Sequence, residues 1–310
     1  MARITIRNLP DPVHQLLADA AVQHHRSTEA EIRFALQQYA ASLQQPLTTA
    51  TAAPESTRQR WQRQTGQRIA QLFVRLRQDE VFAQGGRHDV PHLARAIGED
   101  SPANLLDCID GRAAASFDLL RRISLRFNCS ESWLLSGAGT MFPWEAIEGR
   151  YHAFFLGERD NEHAVFRLIR ISGGPLDGTL LCIRYDNEHQ HFSCGYIRQQ
   201  FQLRAALNAD EAEHLSRFIR FLKTECANRQ IEAYDFTATE NLTDVGEHHP
   251  LWFMAQTRSE PAEWLRGLLR GDDKSGWLSA FPAALQAIGA LPFGNDEQTE
   301  SEDNSWSAID

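Results

Sequence analysis

Met1-Ala2-Arg3-Ile4-Thr5-Ile6-Arg7-Asn8-Leu9 is the stretch on which the reading of this chain turns. Successive side chains of a β-strand point to opposite faces, so Ile4 and Ile6 share one side while Arg3, Thr5 and Arg7 share the other. One face asks for a core, the other for a polar partner. A lone strand leaves its backbone N–H and C=O groups unpaired. The segment is therefore expected to pair with a second copy of itself as a two-stranded antiparallel ribbon, which fits the major groove of B-DNA. Two amphipathic helices are predicted to follow. Val13, Leu16, Leu17, Ala20 and Ala21 recur at helical spacing, and Ile32, Ala35, Leu36 and Tyr39 do so again. Segments this short cannot enclose a core alone, so both stripes call for a second protomer. Between them His24-His25-Arg26 reads as a turn. Ser27 or Thr28 can accept from an early backbone N–H, with Glu31, three residues after Thr28, completing a capping box. Free N–H groups at that helix start can also hold a DNA phosphate.

Ile6-Arg7-Asn8-Leu9, together with Arg26-Ser27-Thr28-Glu29-Ala30-Glu31-Ile32-Arg33, resembles the ribbon-helix-helix DNA-binding segment of FitA-type antitoxins, within the wider Arc/MetJ class. The resemblance covers residues 1–42. It implies that Arg3, Thr5 and Arg7 touch base edges and that Ser27 and Thr28 anchor phosphate. It also implies a toxin partner such as a PIN-type ribonuclease. His25 stands where that family usually has a glycine in the turn.

The chain has 310 residues and a net charge of −10, which is unevenly divided. Residues 1–144 carry net +2 and residues 145–310 net −12. A near-neutral DNA-binding half must rely on a few placed arginines, while the acidic half is repelled by phosphate and is expected to hang away from the duplex. Neither a bilayer-length apolar run nor a basic-then-apolar leader is present, so the cytoplasm is the expected compartment and no membrane partner is expected. The five cysteines, Cys108, Cys129, Cys182, Cys194 and Cys226, are scattered without a C-x-x-C pair, which suggests buried free thiols. Cys182 and Cys194 can face each other only if a hairpin joins them.

The expected organisation is multidomain and mainly α, with an α+β C-terminal domain. After the ribbon-helix-helix segment, residues 43–57 read as a flexible linker, containing two prolines and many small polar residues. Residues 58–144 read as helical. Ile69, Leu72, Phe73 and Leu76 form one stripe; Val90 to Gly98 and Ser101 to Gly111 then outline a helix-turn-helix. Ser116 to Pro143, with its Trp133-Leu134-Leu135-x-Gly137-x-Gly139-x-Met141-Phe142 ending, resembles the latter part of the lambda-repressor-like (Xre/Cro) helix-turn-helix domain, the likeness extending over residues 67–143. That domain offers a second DNA contact through Ser101, Asn104 and Arg112, or a surface for dimerisation or partner binding. Glu99, Asp100, Asp107 and Asp110 frame the same helix, and carboxylates facing phosphate are unfavourable.

In residues 145–295, Tyr151 to Leu156, Ala164 to Ile171, Thr179 to Tyr185 and His191 to Ile197 read as strands of an antiparallel sheet, with turns at Gly173-Gly174-Pro175 and Asp186-Asn187-Glu188. Ala209 to Ala227 reads as a long helix, Glu260 to Leu269 and Gly276 to Gly289 as shorter ones. Residues 296–310 are acidic, polar and expected to be disordered. Trp252, Trp264, Trp277, Phe253 and Phe281 are expected in the core. His189-x-His191 and His248-His249, with Glu188 or Glu247, have metal-like spacing but arise readily in turns, so no metal or cofactor is expected. The two lysines, Lys223 and Lys274, lack a serine set to pair with either, so no enzyme is expected. The leading expectation is a sequence-specific transcriptional repressor that binds a palindromic operator as a homodimer or higher oligomer. Its rival is an antitoxin that autoregulates its operon and neutralises a PIN-type ribonuclease.

Overall fold

The computed structural model describes residues 10–24, 26–44, 55–82, 89–157, 164–186, 191–205, 207–257 and 261–293, with the backbone alone for 38–44. The chain divides into two compact units, Met1–Thr57 and Arg58–Asp310. The expected strand over residues 1–9, most of the linker, residues 187–190 with His189, and the acidic tail lie outside the described residues.

In the first unit Pro10 precedes α1 (Asp11–Gln23), which packs on α2 (Thr28–Gln44) with Ala21 buried between them. Both helices lie where the apolar spacing predicts them.

The second unit opens with α3 (Thr57–Gln78), whose stripe of Ile69, Leu72, Phe73 and Leu76 is buried as its period demands. Four shorter helices follow: α4 (Val90–Ala96), α5 (Pro102–Ile109), α6 (Phe117–Phe127) and α7 (Glu131–Ser136). All four are capped by side chains, Asp89, Ser101, Ser116 and Ser130 accepting from His92, Ala103, Leu119 and Trp133 N–H. Leu105, Leu119, Leu120, Ile123, Leu134 and Phe142 join the α3 stripe in one core.

β1 (Glu145–Ala146) and α8 (Tyr151–Phe155) lead into β2 (Val165–Ser172), β3 (Leu180–Asp186) and β4 (His191–Ile197); α9 (Ala209–Thr224) then returns the chain to β5 (Gln230–Thr237). The short helices α10 (Pro250–Gln256), α11 (Trp264–Leu269) and α12 (Pro282–Gly289) complete the unit. Among the described residues the sheet order is β1-β4-β3-β2-β5. The central pairs β2–β3 and β3–β4 are antiparallel, while β1–β4 and β2–β5 are parallel. The sheet is therefore mixed, not antiparallel as expected, because α9 carries the chain across so that β5 joins the β2 edge in the same direction. One face of the sheet packs on α8, α9, α11 and α12, with Phe155, Phe166, Phe201, Phe218, Trp264 and Trp277 in its core. The other packs on α10 through Ile169, Ile183, Phe236 and Phe253.

Three further expectations are corrected. Tyr151 to Leu156 forms α8 rather than a strand, since Tyr151 and Phe155 lie one helical turn apart and bury the same face. Gly276 to Gly289 is helical only from Pro282; Gly276 takes a left-handed φ of 75°, and Pro282 suits a first turn. Cys182 and Cys194 do not face each other. Cys182 pairs in register with Gly195 and Ile183 with Cys194, so the two thiols point to opposite sides of the sheet, into separate cores.

The expected boundary at residues 144/145 falls inside the second unit, where the helical part and the sheet share buried contacts. Asn128 ends α6 in the left-handed conformation (φ 48°), and its Oδ1 accepts the Phe192 N–H of β4 at 3.1 Å. Phe142 N–H donates to the Gly246 carbonyl at 3.0 Å. Asp79, just beyond α3 and 2% exposed, accepts from His248 Nδ1 at 2.8 Å and from the His249 backbone N–H at 2.7 Å. His249, 1% exposed, accepts the Leu251 N–H on Nδ1 and so caps α10. His248 and His249, with the spacing of a metal pair, are instead engaged in this junction.

Burial pulls the His249 imidazole down to about 4, against the attraction of Asp79 and a hydrogen bond to the Phe127 backbone. Between an ordinary imidazole pKa of about 6.5 and that value, the unfolded chain takes up a proton that the folded chain refuses. The stability contributed by the neutral ring is thus complete above about pH 6.5 and falls by about 3 kcal/mol as pH drops towards 4. Urea midpoints recorded across that range should show the slope, and His249→Gln, though less stable at pH 7.5, should remove the part that belongs to this ring. Equal slopes in parent and variant would refute the assignment.

Candidate nucleic-acid interface

The candidate interface is built on the first unit. Ser27 is the residue before α2, and its Oγ accepts the Ala30 N–H at 3.2 Å. The capping box expected between Thr28 and Glu31 does not form. With α2 starting at Thr28, the third helical position is Ala30, and Glu31 lies one residue too far along to reach back. The buried Glu31 carboxylate instead binds His24 Nδ1 at 2.9 Å and Arg26 Nη1 at 3.5 Å, tying the turn to α2. The Arg26 guanidinium lies 4.3 Å from the centre of the Phe34 ring. On the neighbouring turn Glu29 pairs with Arg33 at 2.8 Å. Ser27 remains exposed and Thr28 half-buried, so both stand at the start of α2 where a phosphate can approach, beside the exposed Glu29.

The apolar stripes of this unit are partly uncovered: Val13 and Leu16 of α1 and Leu36 of α2 are exposed, while Leu17, Ala20 and Ile32 are half-buried and Ala21 is buried. Leu16 is 70% exposed, and Val22 and Phe34, on the opposite faces of their helices, are exposed as well. Apolar side chains of this size left open on a short helical pair form a surface of the kind that mediates association. Arg3, Thr5 and Arg7, which carry the base-reading expectation, lie outside the described residues.

The second set of candidates falls on α5. Gly98 (φ 77°) makes the turn after α4, and Ser101 is spent as the cap of α5. Asn104 Nδ2 donates to Glu99 at 2.8 Å, and this hydrogen bond is the main reason the Glu99 carboxyl lies below its ordinary range. Arg122 closes on Glu99 from α6 and also donates to the Ile97 carbonyl at 2.7 Å and to Asp118 at 2.8 Å. Arg112, beyond the far end of α5, pairs with Asp107 at 3.2 Å and with Asp110. Ser101 and Asn104 are thus brought together at one end of the helix and Arg112 is left at the other. Asn104 and Arg112 are each matched to a carboxylate of the same fold. A phosphate approaching this surface would have to break those pairs and face the acids they neutralise.

Several residues that organise the second unit carry no motif. Asp79 extends the α3 stripe three positions past Leu76, and a carboxylate continuing an apolar face is the local sign of a buried acceptor. Glu148 accepts three consecutive backbone N–H groups, from Arg198, Gln199 and Gln200, at 2.7, 2.8 and 3.1 Å. Lys223, 2% exposed, donates to the Ile288 and Gly289 carbonyls at the end of α12, so one of the two lysines is a packing residue.

Residues 2–40 match the family described as antitoxin FitA-like, ribbon-helix-helix. A protein of Sinorhizobium fredii (strain NBRC 101917 / NGR234), named "Putative plasmid stability protein y4jJ", is 64% identical over 33 residues, which are 11% of this chain and 39% of that protein. The alignment thus spans about two fifths of that relative's length. No solved structure matches the chain. Its N-terminal segment is a FitA-like ribbon-helix-helix domain; the match does not extend to residues 41–310.

Proposed function

We propose that this chain is a dimeric, sequence-specific DNA-binding regulator whose paired N-terminal strands read a palindromic operator through Arg3, Thr5 and Arg7. Ser27 and Thr28 set its register on the phosphates, and it acts as a repressor. The match of residues 2–40 to a ribbon-helix-helix family carries this reading, and the exposed apolar side chains of α1 and α2 support the dimer it calls for. The residues of α5 take no part in base reading, because their polar side chains already serve the fold.

Arg7→Ala should abolish specific operator binding while the chain still dimerises. Each bidentate arginine contact contributes roughly 1–3 kcal/mol, and a dimer loses two. Fluorescence anisotropy with operator and scrambled duplexes at one fixed salt concentration would measure it. A variant that binds operator as tightly as the parent would show that the strand is not the reader.

A second reading is an antitoxin, in which the head autoregulates an operon and the remainder neutralises a toxin such as a PIN-type ribonuclease. The FitA-like match and the plasmid stability name of the relative favour it. Co-purification from the native host separates the two: a tightly held small ribonuclease supports the antitoxin, and its absence from a chain that occupies its operator supports the plain repressor.

A further inference from the structure

In the second unit a cleft of about 430 Å³ opens where the end of α6 meets β1, α8 and the β3–β4 part of the sheet. Its size is that of a small-molecule site. Ile147, Phe154 and Phe192 give it an apolar wall, and Arg150, Arg184 and Ser193 give it a polar one. Arg184 on β3 stands opposite Ser193 on β4 in the strand register, so their side chains leave the same face of the sheet. Residues 145–310 carry net −12, and three arginines there are matched, Arg167 to Glu232, Arg170 to Asp235 and Arg217 to Glu213. Arg184, half-buried, meets no carboxylate at ion-pairing distance among the described residues. Arg150 gives one N–H to the Ala146 carbonyl at 2.8 Å, and it too meets no carboxylate among the described residues. Two guanidinium groups in one cleft, neither paired with a carboxylate among the described residues, form a site of the kind that binds planar or tetrahedral anions through paired N–H donors.

We propose that this cleft binds a small organic anion, its carboxylate or phosphate head held by Arg184 and Arg150 with the Ser193 hydroxyl, and its apolar body against Ile147 and Phe154. Glu145 also lines the cleft and opposes a polyanion, so the occupant is a metabolite-sized molecule and not a nucleic-acid backbone. Such a ligand would bridge the helical part and the sheet beside the Asn128–Phe192 hydrogen bond. The inference does not depend on the operator reading.

Isothermal titration of the full chain with phenyl phosphate and benzoate tests it, with inorganic phosphate and phenol as the head and body alone. At least one of the two organic anions should bind ten-fold or more tightly than either fragment. Arg184→Met should weaken that binding at least ten-fold, with Arg184→Lys in between. Arg150→Met provides a second test should Arg184→Met fail to fold. Bound ligand should slow hydrogen exchange at residues 191–194. Failure of both organic anions to bind more tightly than inorganic phosphate, or an undiminished affinity in both methionine variants, would overturn the proposal.

Discussion

A single methyl group at Gly66 is expected to destabilise the second unit strongly. Gly66 lies inside α3 where the end of α5 comes against it, and a Cβ placed there would sit 2.2 Å from the Cys108 carbonyl oxygen and 2.7 Å from that of Ile109. Both are backbone atoms and cannot swing away as a side chain can. Gly111, with φ 71° and its own Cβ position 3.2 Å from Arg63 Cα, continues the same backbone-to-backbone seam. Relief would require α5 to withdraw from α3 and uncover Leu105 and Cys108, both buried. Overpacking of a core costs typically 1–3 kcal/mol where side chains can adjust, so Gly66→Ala should cost about 4 kcal/mol and Gly66→Val should prevent folding of this unit. Chemical denaturation followed by tryptophan fluorescence reads the first, and loss of the cooperative transition reads the second. An alanine variant within 1 kcal/mol of the parent would mean that the helices are not in contact there.

The second large effect is expected at Asp79. Its carboxylate is the acceptor for two donors from the far end of the chain, the His248 ring and the His249 backbone N–H, and Arg75 stands 3.9 Å away. Asp79→Leu keeps the volume and removes both acceptors. A buried donor left unsatisfied costs roughly 1–3 kcal/mol, so two cost about 4 kcal/mol. Asp79→Asn keeps one acceptor oxygen and should lose about half as much. His248 stacks on Trp252 with ring centres 3.9 Å apart, so Trp252 emission should change when the junction opens. If Asp79→Leu and Asp79→Asn have the same unfolding midpoint, the hydrogen bonds are not what Asp79 contributes.

The parts of this fold that can be read in the chain are those whose signal is local. Ile69, Leu72, Phe73 and Leu76 declare α3 because the period of burial and the period of the helix coincide over several turns. Tyr151 to Leu156 does not declare itself, since six mostly apolar residues are too few for a helical period to be told from a strand. The partnership of Asp79 with His249 spans 170 positions, and no spacing rule reaches that far. The candidate interface divides in the same way. Arg3, Thr5 and Arg7 are proposed from strand alternation, a property of nine residues that lie outside the described ones, and the family match to residues 2–40 covers them without assigning their roles. Ser101, Asn104 and Arg112 suggest a second contact by position alone; the acids around them are visible in the chain, but which of them each side chain pairs with emerges only from the fold.

The exposed apolar side chains of α1 and α2 also bear on dosage. A reading head that is whole only as a pair makes active molecules scarce in proportion to the square of chain concentration when the chain is dilute. Occupancy of a target then drops more steeply than abundance itself, and a modest loss of synthesis becomes an abrupt release. On the dimeric reading proposed above, exposed apolar side chains of a short helical pair would set a concentration threshold, without any ligand having to bind.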